Sequence, residues 1–289
     1  MPAFDGEFYL QRHEIHAYLS DVVAQLIAER HERPIEAVAA YFERALAGTH
    51  VLHREFAFVA ATPHNRRSFC RLLAQALRPL DAHTRVTADE LCDLARLLCE
   101  DLPVDVARDA CARAHATEGR PRAAEPLPLS TALLALCTQL TYADFVTRAL
   151  EVFRACDTRA NGIVNRTVVC LTLRQMMAAH SWTLVVPAPR VLDELLADVR
   201  APGALAHTAD ERGSSAGAPG EWTAAEFETR LFGACMAHMN EALALALPGG
   251  AGGGGAADEE ADALRRRKAE IRARWARRRS AGTNTLAFR

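Results

Sequence analysis

Eleven histidines, eight cysteines and 36 acidic residues give this 289-residue chain the material for chemistry, and their spacing decides what they could do. His50 and His53 stand three apart with Glu55 just beyond, a spacing that could bring two imidazoles and a carboxylate to one cation. A lone pair of this kind is a weak ligand set, so polar packing or contact with a partner is its expected role and no metal is assigned. His13 and His16 flank a helix start and are expected at the surface. The cysteines, at 70, 92, 99, 111, 137, 156, 170 and 235, form no CxxC pair and follow no secretory leader. That pattern predicts reduced thiols in a cytosolic protein, acting as small core residues rather than zinc ligands. Neither GxxxxGK[ST] nor HExxH occurs, so the nucleotide, zinc-protease and hydrolase readings find no anchor. Nothing selects a particular cysteine and histidine as a catalytic pair, and the chain is expected to be a non-enzyme without a cofactor.

The elements that would carry these residues are helical. Half of the residues are apolar and aromatics are few, and the long segments repeat with helical rather than alternating periodicity, which predicts an all-α protein without a convincing set of strands. No apolar run approaches the roughly 20 residues that span a bilayer, so a soluble chain with no membrane contact is expected.

Ile15, Tyr18, Leu19, Val22, Val23, Leu26 and Ile27 give residues 13–29 one broad apolar stripe, opposite Glu14, Asp21, Gln25 and Glu29. Pro34 then opens a second helix, whose buried face is expected at Ile35, Val38, Ala39, Phe42 and Leu46. A two-helix hairpin cannot bury its own apolar face, so it must pack on a second copy, a related hairpin or the following domain. Leu19, Leu26, Val38 and Phe42 are the candidate partner-binding residues. Residues 48–63 read as a packed connector because Phe56, Phe58 and Val59 are too apolar for a flexible linker. Thr62-Pro63 stops any preceding helix and starts one predicted over 63–77.

Downstream, Val86-Thr87-Ala88-Asp89-Glu90-Leu91, Val164-Asn165-Arg166-Thr167-Val168-Val169 and Trp222-Thr223-Ala224-Ala225-Glu226-Phe227 share one signature. It is that of a capping box, in which the Thr or Asn oxygen meets orphan amides at a helix start. It is also how the second half of an EF-hand begins, with an apolar eighth loop residue, a capping ninth and a bidentate acid at the twelfth. The loop 157–168 places Asp157, Asn161, Gly162 and Val164 accordingly, but Arg159 stands at the third position and Val168 at the twelfth, so the ligand set is broken. The loop 215–226 keeps Gly220 and Glu226 without acids at its first, third or fifth positions, and loops ending at Glu90 and near Leu133 are poorer still. Residues 64–243 therefore read as EF-hand-like helix pairs that have lost the metal, interrupted by exposed loops at 117–128 and 200–220. A Gly-rich tether follows at 244–257, and a basic helical tail at 258–289.

Gln11-Arg12-His13, Tyr41-Phe42, the run from Gly48 to Phe56 and the run from Ala61 to Arg66 resemble the centriolar satellite-associated tubulin polyglutamylase complex regulator family. The resemblance is dense over residues 9–78 and does not reach the tail. The hairpin 1–47 also looks like the dimerisation and docking domain of protein kinase A regulatory subunits, in which paired hairpins receive an amphipathic partner helix. These resemblances imply a non-catalytic scaffold or regulatory subunit that contacts polyglutamylase subunits and tubulin or microtubules, as a homodimer or heterodimer through the hairpin. They imply a place in the cytoplasm and cytoskeleton, at centriolar satellites, the centrosome or the ciliary base. A Ca²⁺-responsive sensor and a ciliary docking module unrelated to glutamylation are the alternatives.

The charge is segregated. Residues 264–289 hold ten basic residues and one acid, a net of +9 against −11 for the rest. Arg265, Arg266, Arg267, Lys268, Arg272, Arg274, Arg277, Arg278 and Arg279 form the candidate contact with the acidic tails of tubulin. With only Trp275 and Ile271 as apolar anchors, neither a membrane nor nucleic acid is the expected partner.

Overall fold

In the computed structural model, residues 6, 9–10, 13–119, 125–178, 185–197 and 220–245 are described. They form an all-α fold with two very short two-stranded ribbons. The chain divides into two compact units, one of Met1–Ala107, Pro126–Leu133 and Leu243–Arg289, the other of Arg108–Glu125 and Leu134–Ala242.

The first unit begins with helix α1 (Ile15–Glu29), which ends at Arg30 in the left-handed region with its N–H returned to Leu26 O. Helix α2 (Pro34–Ala47) starts on proline, as the sequence predicts, and stops at Gly48. Gly48 has φ +73, and a Cβ there would lie 2.7 Å from Ser68 Oγ, so both conformation and space require glycine. Helix α3 (Phe56–Ala61) is a short helix inside the connector, and Val51 and Val59 on either side of its start are fully buried. Thr62 is extended, as a residue before proline must be, and its hydroxyl accepts from Asn65 N at the start of helix α4 (Pro63–Leu77). Helix α4 is a core element, burying Phe69, Leu72, Leu73, Ala76 and Leu77.

Strand β1 (Arg85–Val86) pairs antiparallel with β2 (Leu127–Pro128), Val86 opposite Leu127. Helix α5 (Ala88–Ala95) opens with the predicted capping box: Glu90 N donates to Thr87 Oγ1, and Thr87 N donates to Glu90 Oε2 at 2.9 Å. Helices α6 (Val104–Thr117) and α7 (Leu129–Cys156) contribute residues to both units. By length and composition α7 is apolar enough to cross a bilayer, which corrects the expectation that no segment is. Most of its apolar stretch is buried inside the fold, as in the core helix of a globular domain.

In the second unit, β3 (Ile163–Asn165) pairs antiparallel with β4 (Glu221–Thr223), setting Val164 opposite Trp222. Helices α8 (Arg166–Ala178), α9 (Arg190–Ala197) and α10 (Ala224–Leu245) complete it. Its core is aromatic: Trp222, Phe145, Phe153, Phe227 and Phe232 are all nearly inaccessible, and Phe153 stacks on Phe227 at 5.2 Å between centroids. The ribbons join the apolar residues assigned to the eighth loop positions, Val86 in the first and Val164 with Trp222 in the second. Strands of two or three residues carry no readable period, which is why the sequence gives no sign of them.

Candidate functional site

The hairpin of α1 and α2 follows the expected arrangement only in part. On α2 the buried residues are Tyr41 and Ala45, while Ile35 and Leu46, expected on the buried face, are 81% and 84% exposed and Ala39 is exposed with them. At about 100° per residue, the Ile35–Leu46 stripe lies roughly a quarter-turn from the Tyr41–Ala45 line. On α1 only Val22 is buried, and Leu19, Val23 and Ile27 are exposed. Of the four candidate docking residues, Leu19 is exposed and Leu26, Val38 and Phe42 are half-buried, Phe42 lying edge-on to Tyr41 at 5.3 Å.

The side turned inward carries polar groups among its apolar ones. The Asp21 carboxylate, its side chain only 9% exposed, accepts from Tyr41 Oη at 2.7 Å, Gln25 Nε2 at 3.0 Å and Arg54 Nη1 at 2.9 Å, and a second Arg54 nitrogen reaches its other oxygen. The Arg54 guanidinium also lies over the Phe58 ring, 4.1 Å from its centroid. Burial and the Asp21 carboxylate push the Tyr41 phenol up, and the hydrogen bond to Asp21 raises Arg54 further above its ordinary value. A second cluster surrounds Asn65, which is fully buried. Its Nδ2 donates to Phe58 O at 2.7 Å, leaving Oδ1 to accept from Tyr18 Oη at 2.9 Å and from His50 Nε2 at 2.7 Å. His50 therefore carries its proton on Nε2, and burial holds its pKa below the usual imidazole value. It stacks on His64 with ring centroids 5.5 Å apart.

Partners separated by 20 to 47 residues leave no periodic trace, so sequence reasoning placed Asp21 and Gln25 only as the side opposite the apolar stripe. The family motifs nevertheless contain Tyr41, His50, Arg54 and Asn65 of these two clusters, and Thr62, whose hydroxyl lies 2.9 Å from Tyr18 Oη. That coincidence was the available signal.

The other candidates take structural roles. His50 packs in the Asn65 cluster while His53 and Glu55 are exposed, and among the described residues no three His, Cys, Asp or Glu side chains are grouped to hold a metal. His13 and His16 are exposed, as expected. In the loop 157–168, Asp157 accepts from Asn161 N and Gly162 N, while Asn165 Oδ1 accepts from Thr167 N and so caps α8. Glu226 closes a capping box with Thr223. Seven of the eight free cysteines are buried, and burial pushes the Cys111 and Cys170 thiols up to about 11 and Cys99 and Cys235 up to about 12, far from reactive thiolates. The pattern GxSxG does occur once, at 213–217, and GxGxxG at 250–255, which qualifies the absence of hydrolase and nucleotide motifs. Both fall outside the described residues, in Gly-, Ala- and Ser-rich runs where chance matches are frequent. The loop 200–220 up to residue 219, the Gly-rich tether beyond residue 245 and the whole basic tail, with Arg265, Arg266, Arg267, Lys268, Arg272, Arg274, Arg277, Arg278 and Arg279, also lie outside the described residues.

No protein-family model and no solved structure matches the chain. Curated proteins do. The chain is 38% identical over 111 residues to the human centriolar satellite-associated tubulin polyglutamylase complex regulator 1, covering 37% of this chain and 33% of that protein. The mouse protein of the same name is 37% identical over 111 residues, with the same coverage. The zebrafish protein is 34% identical over 106 residues, 35% of this chain and 32% of its own length. The chain thus matches about a third of the length of these relatives. Through the matched segment, the chain is similar to the proteins named centriolar satellite-associated tubulin polyglutamylase complex regulator 1.

Proposed function

We propose that this chain is a non-catalytic scaffold or regulatory subunit of a tubulin polyglutamylase complex, holding the enzyme near microtubules at centriolar satellites, the centrosome or the ciliary base. The observation that carries this reading is the similarity to proteins named as regulators of that complex. The exposed apolar side chains of the hairpin, Leu19, Val23 and Ile27 along one face of α1 and Ile35 and Leu46 on α2, support it physically. Five large apolar side chains left in water on two adjacent helices suit an amphipathic helix of a complex subunit laid against them. Affinity purification of the full chain from ciliated cells tests the proposal. Co-purification of polyglutamylase subunits is expected. Recovery of the chain only with itself, or only with ciliary anchoring proteins, would replace this reading by self-association or by an unrelated docking module.

The basic segment 258–289 belongs to the same proposal as a contact with the glutamate-rich tails of tubulin, since a segment of net +9 over residues 264–289 is drawn to acidic chains by attraction that salt screens over about 8 to 10 Å. Microtubule co-sedimentation should weaken at high salt and on deletion of 258–289. Pelleting unchanged by that deletion, or by enzymatic removal of the tubulin tails, would remove the tail from the contact.

A further inference from the structure

The hairpin is fastened to its unit by polar ties together with few fully buried apolar side chains. Helices α1 and α2 together bury three apolar side chains, Val22, Tyr41 and Ala45, whereas α4 alone buries Phe69, Cys70, Leu72, Leu73, Ala74, Ala76 and Leu77. Beside the ties, a cavity of about 590 Å³ opens among Ala24 and Ala28 of α1, Tyr41 and Arg44 of α2, and Leu52 and Leu98. Apolar packing that leaves such a space does little to fix the angle of the hairpin.

One carboxylate joins all three segments concerned. Asp21 comes from α1, Tyr41 from α2 and Arg54 from the connector, and all meet within hydrogen-bonding distance. The Tyr18 cluster ties α1 to Thr62 and Asn65, and the C-terminal end of α2 is held separately, by His64 Nε2 at 2.8 Å from Ala45 O and by Arg71 donating to Ala47 O. A planar guanidinium engaging both oxygens of a carboxylate sets direction as well as distance, which a single point charge would not.

We propose that the Asp21–Arg54–Tyr41 network sets the pose in which the hairpin presents its exposed apolar side chains, making Asp21 and Arg54 positioning residues for partner docking. This inference rests on the docking role proposed above. Removing the guanidinium leaves a largely buried carboxylate with only Tyr41 and Gln25, a change that frees the hairpin rather than the core, because local opening follows the weakest cooperative unit.

The test uses the full chain and two readouts, amide hydrogen exchange along residues 13–77 and capture of polyglutamylase subunits from ciliated-cell extract. In Arg54→Met, amide protection in α1 and α2 is expected to fall by about tenfold or more while α4 keeps its protection, and capture falls with the hairpin. Arg54→Lys, which keeps the charge without the fork, should recover only part of both. Asp21→Asn is a second variant that preserves shape. Protection lost equally in α4 would make the network ordinary core, and unchanged exchange and capture in both Arg54→Met and Asp21→Asn would overturn the proposal. Failure of the docking role itself looks different: Ile27→Ser and Ile35→Ser, which do not touch the network, would then leave capture unchanged.

Discussion

Helices α2 and α4 begin alike, each on a proline at its first position, and each carries a helical apolar pattern, yet α4 buries its pattern while α2 half-buries Val38 and Phe42 and leaves Ile35 and Leu46 in water. The difference shows that periodicity identifies a helix with an apolar face without saying what covers it. For α4 the cover is the rest of its own unit, with Leu73 fully inaccessible. For α2 the side toward the unit is the Tyr41–Ala45 line, and Leu46 stands in water one residue past Ala45.

The comparison can be broken most forcefully by truncating both faces. Leu73→Ala should cost about 2–5 kcal/mol by urea unfolding, as for a fully buried leucine, while Leu46→Ala should stay within about 0.5 kcal/mol. Comparable costs at the two positions would mean that Leu46 is covered within the chain. Phe42→Ala falls between, at about 1–3 kcal/mol, because the ring is half-buried against Tyr41 rather than enclosed.

Next in size is the start of α5, where Thr87→Ala should remove about 1 kcal/mol by deleting one half of the capping box. A comparable loss is expected for Thr223→Ala at α10.

The Asn65 cluster sharpens the same contrast through pH. His50 has its folded pKa below the unfolded value of about 6.5 because burial disfavours the imidazolium. Above that value both states are neutral and the stability is fully present. As pH falls below it, the unfolded chain takes up the proton first and stability declines until the folded pKa is also passed. Urea midpoints measured from pH 7.5 to 5 should drop in the parent chain and drop less in His50→Gln. Equal slopes would remove His50 from the acid sensitivity.

The smallest expected effect is none. The full chain should give no saturable Ca²⁺ isotherm in the sensor range of about 10⁻⁷ to 10⁻⁵ M, since Arg159 and Val168 stand where the loop needs oxygen ligands. A saturable isotherm abolished by Asp157→Ala would restore a sensor role.

Much of this fold was legible in the sequence. The all-α class, the proline starts at Pro34 and Pro63, the end of α4 at Leu77 and the capping residues Thr87, Asn165 and Thr223 all follow from local chemistry, which acts over three or four residues. What was not legible depends on distance along the chain. The Tyr41 and Arg54 bonds to Asp21 span 20 and 33 residues, and the pairing of Val164 with Trp222 spans more. Leu19, Leu26, Val38 and Phe42 were marked by periodicity alone, and periodicity could not tell that Leu19 points to water while Phe42 is partly covered.

The exposed apolar side chains of the hairpin are proposed to dock a polyglutamylase subunit. The most direct test of this proposal is quantitative capture of those subunits by the full chain and by a triple variant, Leu19→Ser with Ile27→Ser and Ile35→Ser, at matched melting temperature. The prediction is a loss of capture of about tenfold or more with stability unchanged, as expected when exposed anchors rather than core residues are removed. Capture retained in the triple variant would contradict it.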